Sequence, residues 1–129
     1  GEKSDDAGDN SGRPGETRVY RWEGFPSPRW RMVGDSIQGQ NPGDSFGRSV
    51  AISADGKTIV SGARFFGNKD KGGAFVSQYP SDLTATTSWI GQGGVVGDSS
   101  DDHFYHVAMN KAGDRIAVGS GSGLGYVKV

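Results

Sequence analysis

Two stretches of this chain repeat one another. VAISADGKTIVSGA, residues 50–63, and VAMNKAGDRIAVGS, residues 107–120, lie 57 residues apart and share Val50/Val107, Ala51/Ala108, Gly56/Gly113, Ile59/Ile116 and Gly62/Gly119. At the same spacing Gly15, Val19 and Trp22 match Gly72, Val76 and Tyr79, and with a two-residue slip Trp30 matches Trp89. A period of this length marks an architecture of stacked units, none of which buries its own apolar face alone. The spacing divides the chain into a first unit, residues 15–71, and a second, 72–124, with GYVKV at 125–129 as the first strand of a third.

Within each unit the apolar runs are short. RVYRW, RWRMV, SVAIS, TIVSGA, AFVSQY, HVAMN and RIAVGS are rich in Val, Ile and aromatics and are broken by Gly, Pro, Asp or Asn. That is strand spacing in an all-β protein, and no window carries a 3.6-residue period. The 23 glycines and the 33% hydrophobic content fit many turns between thin strands. Residues 1–17, GEKSDDAGDNSGRPGET, hold no aromatic or large aliphatic residue and read as a flexible acidic segment ahead of a β-repeat domain spanning 18–129. A length of 129 residues suits one domain.

The first repeat has a clear local logic. Two strands flank Ala54-Asp55-Gly56-Lys57, and Asp-Gly is a strong hairpin signal because Gly adopts positive φ freely. Phe46 is placed to fill the space between neighbouring sheets, and Gly62-Ala63 are small where strands crowd. One carboxylate, Asp55, is too few oxygen ligands for a calcium loop, and the matching Asn110-Lys111-Ala112-Gly113 has none.

These residues resemble the FG-GAP-type β-propeller repeats, in a variety common in long extracellular or envelope-associated proteins of algae and bacteria. The resemblance is carried by Trp30, Gly34, Ile37, Gly39, Asp44, Phe46, Gly47, Ser49, Val50, Ala51, Asp55, Gly56, Ile59, Gly62 and Ala63. The second unit departs from it where DSFGRSVA becomes DDHFYHVA. The resemblance implies antiparallel propeller-like blades of about four short strands, here an incomplete propeller of two blades plus a stub. It also implies an extracellular, envelope or organellar setting rather than a cytosolic one. The chain starts with Gly and stops inside a strand, which fits a processed or truncated product.

Candidate chemistry is sparse. Asp98, Asp101, Asp102, His103 and His106 form the densest polar cluster, but in a strand His103 and His106 point to opposite faces, so a solvated loop is the expected role and no metal or cofactor is assigned. GSGSGLG at 119–125 has the composition of a phosphate loop but runs into a strand, not a helix. No serine sits in a nucleophile elbow, so an enzyme is not expected.

RVYRWEGFPSPRWR, residues 18–31, is different. Arg18, Arg21, Arg29 and Arg31 interleave with Tyr20, Trp22, Phe25 and Trp30. Strand alternation accounts for such a pattern, and so does a protein-binding face, where Arg and Trp are favoured anchors. With a net charge of −1 no overall field draws the chain to nucleic acid, and a membrane is expected only indirectly, through a larger complex. A second contact region is expected in RFFGNKDK, residues 64–71, through Phe65, Phe66, Lys69 and Lys71. The expected function is a non-enzymatic module working by protein contact, as an accessory subunit, a piece of a longer propeller, or a self-associating ring. The alternative is a carbohydrate- or ligand-binding propeller formed by oligomerisation, with Trp22, Trp30 or Trp89 stacking on sugar.

Overall fold

The computed structural model describes residues 14–66, 71–80, 88–98 and 105–120, and the backbone of 126–128. Among these residues there is no helix, and every strand pairing is antiparallel. The first ribbon is one long hairpin. Its arms are β1 (Glu16–Thr17) with β2 (Tyr20–Glu23), and β3 (Arg29–Met32) with β4 (Ile37–Gln38). Between the two paired stretches Val33 N–H donates to the Val19 carbonyl at 2.8 Å, which keeps the arms together. A central four-stranded meander follows, β5 (Phe46–Ile52), β6 (Thr58–Ala63), β7 (Gly73–Gln78) and β8 (Ile90–Val96). The third sheet holds β9 (His106–Met109), β10 (Ile116–Ser120) and β11 (Tyr126–Lys128).

Strand β6 explains the stacking. All six of its residues are buried, so it is covered on both faces. On one face Ser61 meets the first ribbon through a buried hydroxyl pair with Thr17 at 2.9 Å. Phe46, Phe75 and Phe66 fill the same layer, with ring centroids 6.4 Å apart for Phe46–Phe75 and 4.7 Å, edge-on, for Phe66–Phe75. Phe46 thus lies where its spacing in the sequence places it. On the opposite face Val60 and Ala74 pack with Val118 of the third sheet, flanked by Ala51, Val76, Val95, Val107, Met109 and Ile116. Gly62 is obligatory there, since a Cβ would sit 2.1 Å from the Tyr105 carbonyl oxygen. Backbone approaches that closely only past a residue with no side chain.

The repeat survives as pairing register. Ala51↔Val60 and Ile52↔Ile59 in the central sheet match Ala108↔Ala117 and Met109↔Ile116 in the third. The turns match bond for bond. Gly56 N–H to the Ser53 carbonyl (3.0 Å) corresponds to Gly113 N–H to the Asn110 carbonyl (3.1 Å). Ser53 Oγ accepts from Thr58 N–H (3.2 Å) as Asn110 Oδ1 accepts from Arg115 N–H (3.0 Å). Of the turn's four residues only Gly56 has positive φ, 73°, so Asp55-Gly56 is half of a four-residue turn and not a two-residue one. The two turns also touch, Ala54 N–H donating to the Lys111 carbonyl at 2.9 Å.

Sheets and sequence units are out of step. The four-stranded sheet takes β5 and β6 from the first unit and β7 and β8 from the second. A unit therefore does not fold into its own sheet, as its strand count suggested. Strand β6 would end the first unit as a bare edge, and β7 pairs with it along six residues. Edge pairing across the unit boundary is favoured because it satisfies a full row of backbone donors and acceptors.

Candidate functional site: the aromatic face of the first ribbon

In β2 and β3 the register sets Tyr20 against Met32, Arg21 against Arg31, Trp22 against Trp30, and Glu23 against Arg29. Alternation then sorts the residues cleanly. Tyr20, Trp22, Trp30 and Met32 share one face, and Arg21, Glu23, Arg29 and Arg31 the other. Trp22 and Trp30 are in tilted contact, with centroids 5.4 Å apart and planes at 60°.

The aromatic face is open. Trp30 is 66% exposed, Trp22 52%, and Phe25 in the connecting loop 88%. Single exposed apolar residues are routine on a protein surface, whereas here Trp22, Trp30, Tyr20 and Met32 are exposed together on one face.

The other face is organised around one carboxylate. Glu23 receives Arg21 at 3.3 Å, Arg29 at 3.4 Å and Arg31 at 3.5 Å. Desolvation pushes the Glu23 carboxyl up, but the arginines outweigh it and hold the group below the usual glutamate range. Arg18 is engaged separately, with Glu16 at 2.6 Å. Glu23 escapes a reading of the sequence that counts bases and aromatics, although it is the one acid inside YRWEGF.

The second unit holds the counterpart of the tryptophan pair. Tyr79 and Trp89 stand at the positions of Trp22 and Trp30, with centroids 5.3 Å apart and planes at 58°. Here the pair is half-buried. Trp89 Nε1–H donates to the Val33 carbonyl at 2.9 Å, and Ser88 Oγ–H donates to Asp35 Oδ2 at 3.0 Å. Tyr79 sits beside Val33, Arg21 and Ile52 around a groove of about 430 Å³. A second groove of about 580 Å³ runs past Trp89, Phe75, Asp35, Ser36, Gln38 and Gln40. The repeat spacing relates Tyr79 to Trp22 and Trp89 to Trp30, and the structure adds that each pair is in ring contact.

The remaining candidates are scattered. Phe66 is half-buried, with its ring edge-on to Phe75 at 4.7 Å between centroids. Phe65 lies under the Arg64 guanidinium, 5.1 Å from its ring centroid, and Arg64 also faces Tyr105 at 5.7 Å. Lys71 is half-buried, and Lys69 lies outside the described residues. Of the polar cluster, Asp101, Asp102 and His103 lie outside the described residues; His106 is exposed on β9 with its ring 4.1 Å from that of Tyr105. Among the described residues no group of three or more His, Cys, Asp or Glu gathers to hold a metal ion. Asp55 is occupied structurally, its Oδ1 accepting from Ser53 Oγ–H at 2.7 Å and Lys57 N–H at 2.9 Å.

Fold and site together define an all-β protein of antiparallel sheets whose first ribbon carries an exposed aromatic face. Set against known families, curated proteins and solved structures, the chain matches no family model, no curated protein and no solved structure.

Proposed function

We propose that this chain is a non-enzymatic β-repeat module that works by protein contact, scaffolding or stabilising a larger assembly. One observation carries the reading: the Trp22–Trp30 pair is exposed while the equivalent Tyr79–Trp89 pair is half-buried, with Trp89 bonded to the first ribbon. The half-buried pair gives the kind of surface that fits the exposed one, namely β-structure with an accessible backbone carbonyl. Exposed Trp and Arg side by side are the residues that dominate protein interfaces. The resemblance to FG-GAP-type repeats supports the same reading. In it the stacked sheets are blades of a propeller that other protein completes, as host complex, longer chain or further copies.

The test is photo-crosslinking from a benzophenone amino acid placed at Phe25. Capture of a discrete polypeptide in the native extract is the expected result. Failure to capture any polypeptide overturns it.

A second reading, a carbohydrate- or ligand-binding module, is favoured by the groove beside Trp89, where an aromatic ring adjoins Asp35, Ser36, Gln38 and Gln40. Such mixed linings orient small polar ligands. A shift in Trp89 fluorescence on sugar titration supports that reading, and a flat titration with a blank glycan array removes it.

A further inference from the structure

The contact between Trp89 and Val33 shows how one unit seats on the next, and the repeat supplies a second residue at each half of that contact. Val33 corresponds to Gln92 at the spacing that relates Trp30 to Trp89. Gln92 is an extra residue in β8: Val76 pairs with Gly93 and Ser77 with Gly91, which leaves Gln92 without a register partner. A bulge of this kind takes a residue's backbone out of the ladder. At Val33 the same place in the hairpin turns a carbonyl toward Trp89. The chain thus carries an indole donor with an open face on the first ribbon, Trp30, and a bulged backbone on the edge strand of the central sheet, Gln92.

Orientation agrees with this. Val76 faces the third sheet, packed near Val118, so Gln78, two residues on, lies on that side with its register partner Ile90. Ile90 is 47% exposed. Tyr79 and Trp89, on the opposite side, face the first ribbon. Stacking therefore has a direction: aromatic pair forward, bulge behind.

We propose that a second copy of this chain docks head to tail on the face formed by Tyr20, Trp22, Trp30 and Met32, seating its β8 bulge so that Trp30 Nε1–H donates to its Gln92 carbonyl. This rests on the protein-contact reading above and names the partner. The contact is heterologous, so it propagates into a ring if the rotation closes and into a filament if it does not. It is weaker than the contact inside the chain, because Arg29 stands where Ser88 stands and Gly94 where Asp35 stands, which removes the Ser88–Asp35 hydrogen bond.

Sedimentation velocity across a wide concentration range tests it, with circular dichroism confirming that each variant is folded. Wild type self-associates, Trp30→Ala weakens the association about 30-fold, and Trp30→Phe, which keeps a ring but loses the donor, weakens it about 5-fold. Ile90→Asp, at the other end, weakens it as well. Mixing Trp30→Ala with Ile90→Asp restores a heterodimer, because each variant keeps one intact face. A wild-type monomer up to about 1 mM overturns the proposal, as does association in which the mixture rescues nothing. If the chain is monomeric while the Phe25 crosslinker captures a different polypeptide, this inference fails and the protein-contact reading stands. A monomer that captures no polypeptide ends both.

Discussion

Thr17 Oγ1 and Ser61 Oγ lie 2.9 Å apart, buried between the first ribbon and the central sheet, residues 44 positions apart in the chain. Two hydroxyls on the face that carries Phe46 and Phe75 are tolerated because one donates to the other. Ser61→Ala leaves Thr17 buried with its partner gone and costs about 1–3 kcal/mol, whereas Thr17→Val with Ser61→Ala together costs less than the two single changes added. Urea denaturation of the three variants measures this. Strict additivity would show that the bond contributes nothing.

Gly62 and Gly91 give opposite expectations for the same substitution. Gly62→Ala puts a methyl into the Tyr105 carbonyl, and backbone on both sides leaves no side chain to swing away. The cost is about 3 kcal/mol through separation of the central and third sheets. A Cβ at Gly91 meets nothing within 4 Å, so Gly91→Ala is neutral or stabilising by up to about 1 kcal/mol. Thermal melts of the pair separate close approach from a general intolerance of alanine.

Trp89→Phe keeps a ring beside Tyr79 but removes the N–H donor to the Val33 carbonyl. The expected cost is about 1 kcal/mol. Hydrogen exchange locates it: protection falls at Val33 and Tyr79 and is unchanged in the β9–β10 hairpin. Loss of protection throughout would mean that the stack unfolds as one unit.

The Asp55 turn responds to acid with a definite sign. The hydroxyl of Ser53, then the backbone N–H of Lys57, hold the Asp55 carboxyl below the ordinary aspartate range. A folded-state value below the unfolded one means that the carboxylate stabilises the fold above the unfolded pKa. That contribution is lost as pH falls through the folded value. Asp55→Asn is therefore less stable than wild type at neutral pH, and the gap closes on acidification through the carboxylate range. A gap independent of pH would show that the turn is held by Gly56 and the backbone alone.

Much of this architecture was legible in the sequence. The alternation in SVAIS, the short apolar run TIVSGA, the Asp55-Gly56 turn and the period linking Val50 to Val107 were enough to give an all-β chain of hairpins. Phe46 was placed correctly from its position before the hairpin. Which strands share a sheet was not legible, because β6 presents the same apolar pattern to β5 and to β7, and only edge pairing decides that the unit boundary falls inside a sheet. In the site, the interleaving of Arg and Trp over 18–31 announced two faces. Hidden was the contact of Trp89 with Val33, since it is made to a backbone carbonyl that no side chain encodes.

The central claim is that the Trp22–Trp30 face is open in the isolated chain and closes on protein. Hydroxyl-radical footprinting read by mass spectrometry tests it most directly, since the chain's three tryptophans report separately. In dilute isolated protein Trp22 and Trp30 are oxidised faster than Trp89. In the native assembly Trp22 and Trp30 become protected while Trp89 is unchanged. Equal reactivity of all three in dilute protein, or full reactivity of Trp22 and Trp30 in the assembly, would contradict it.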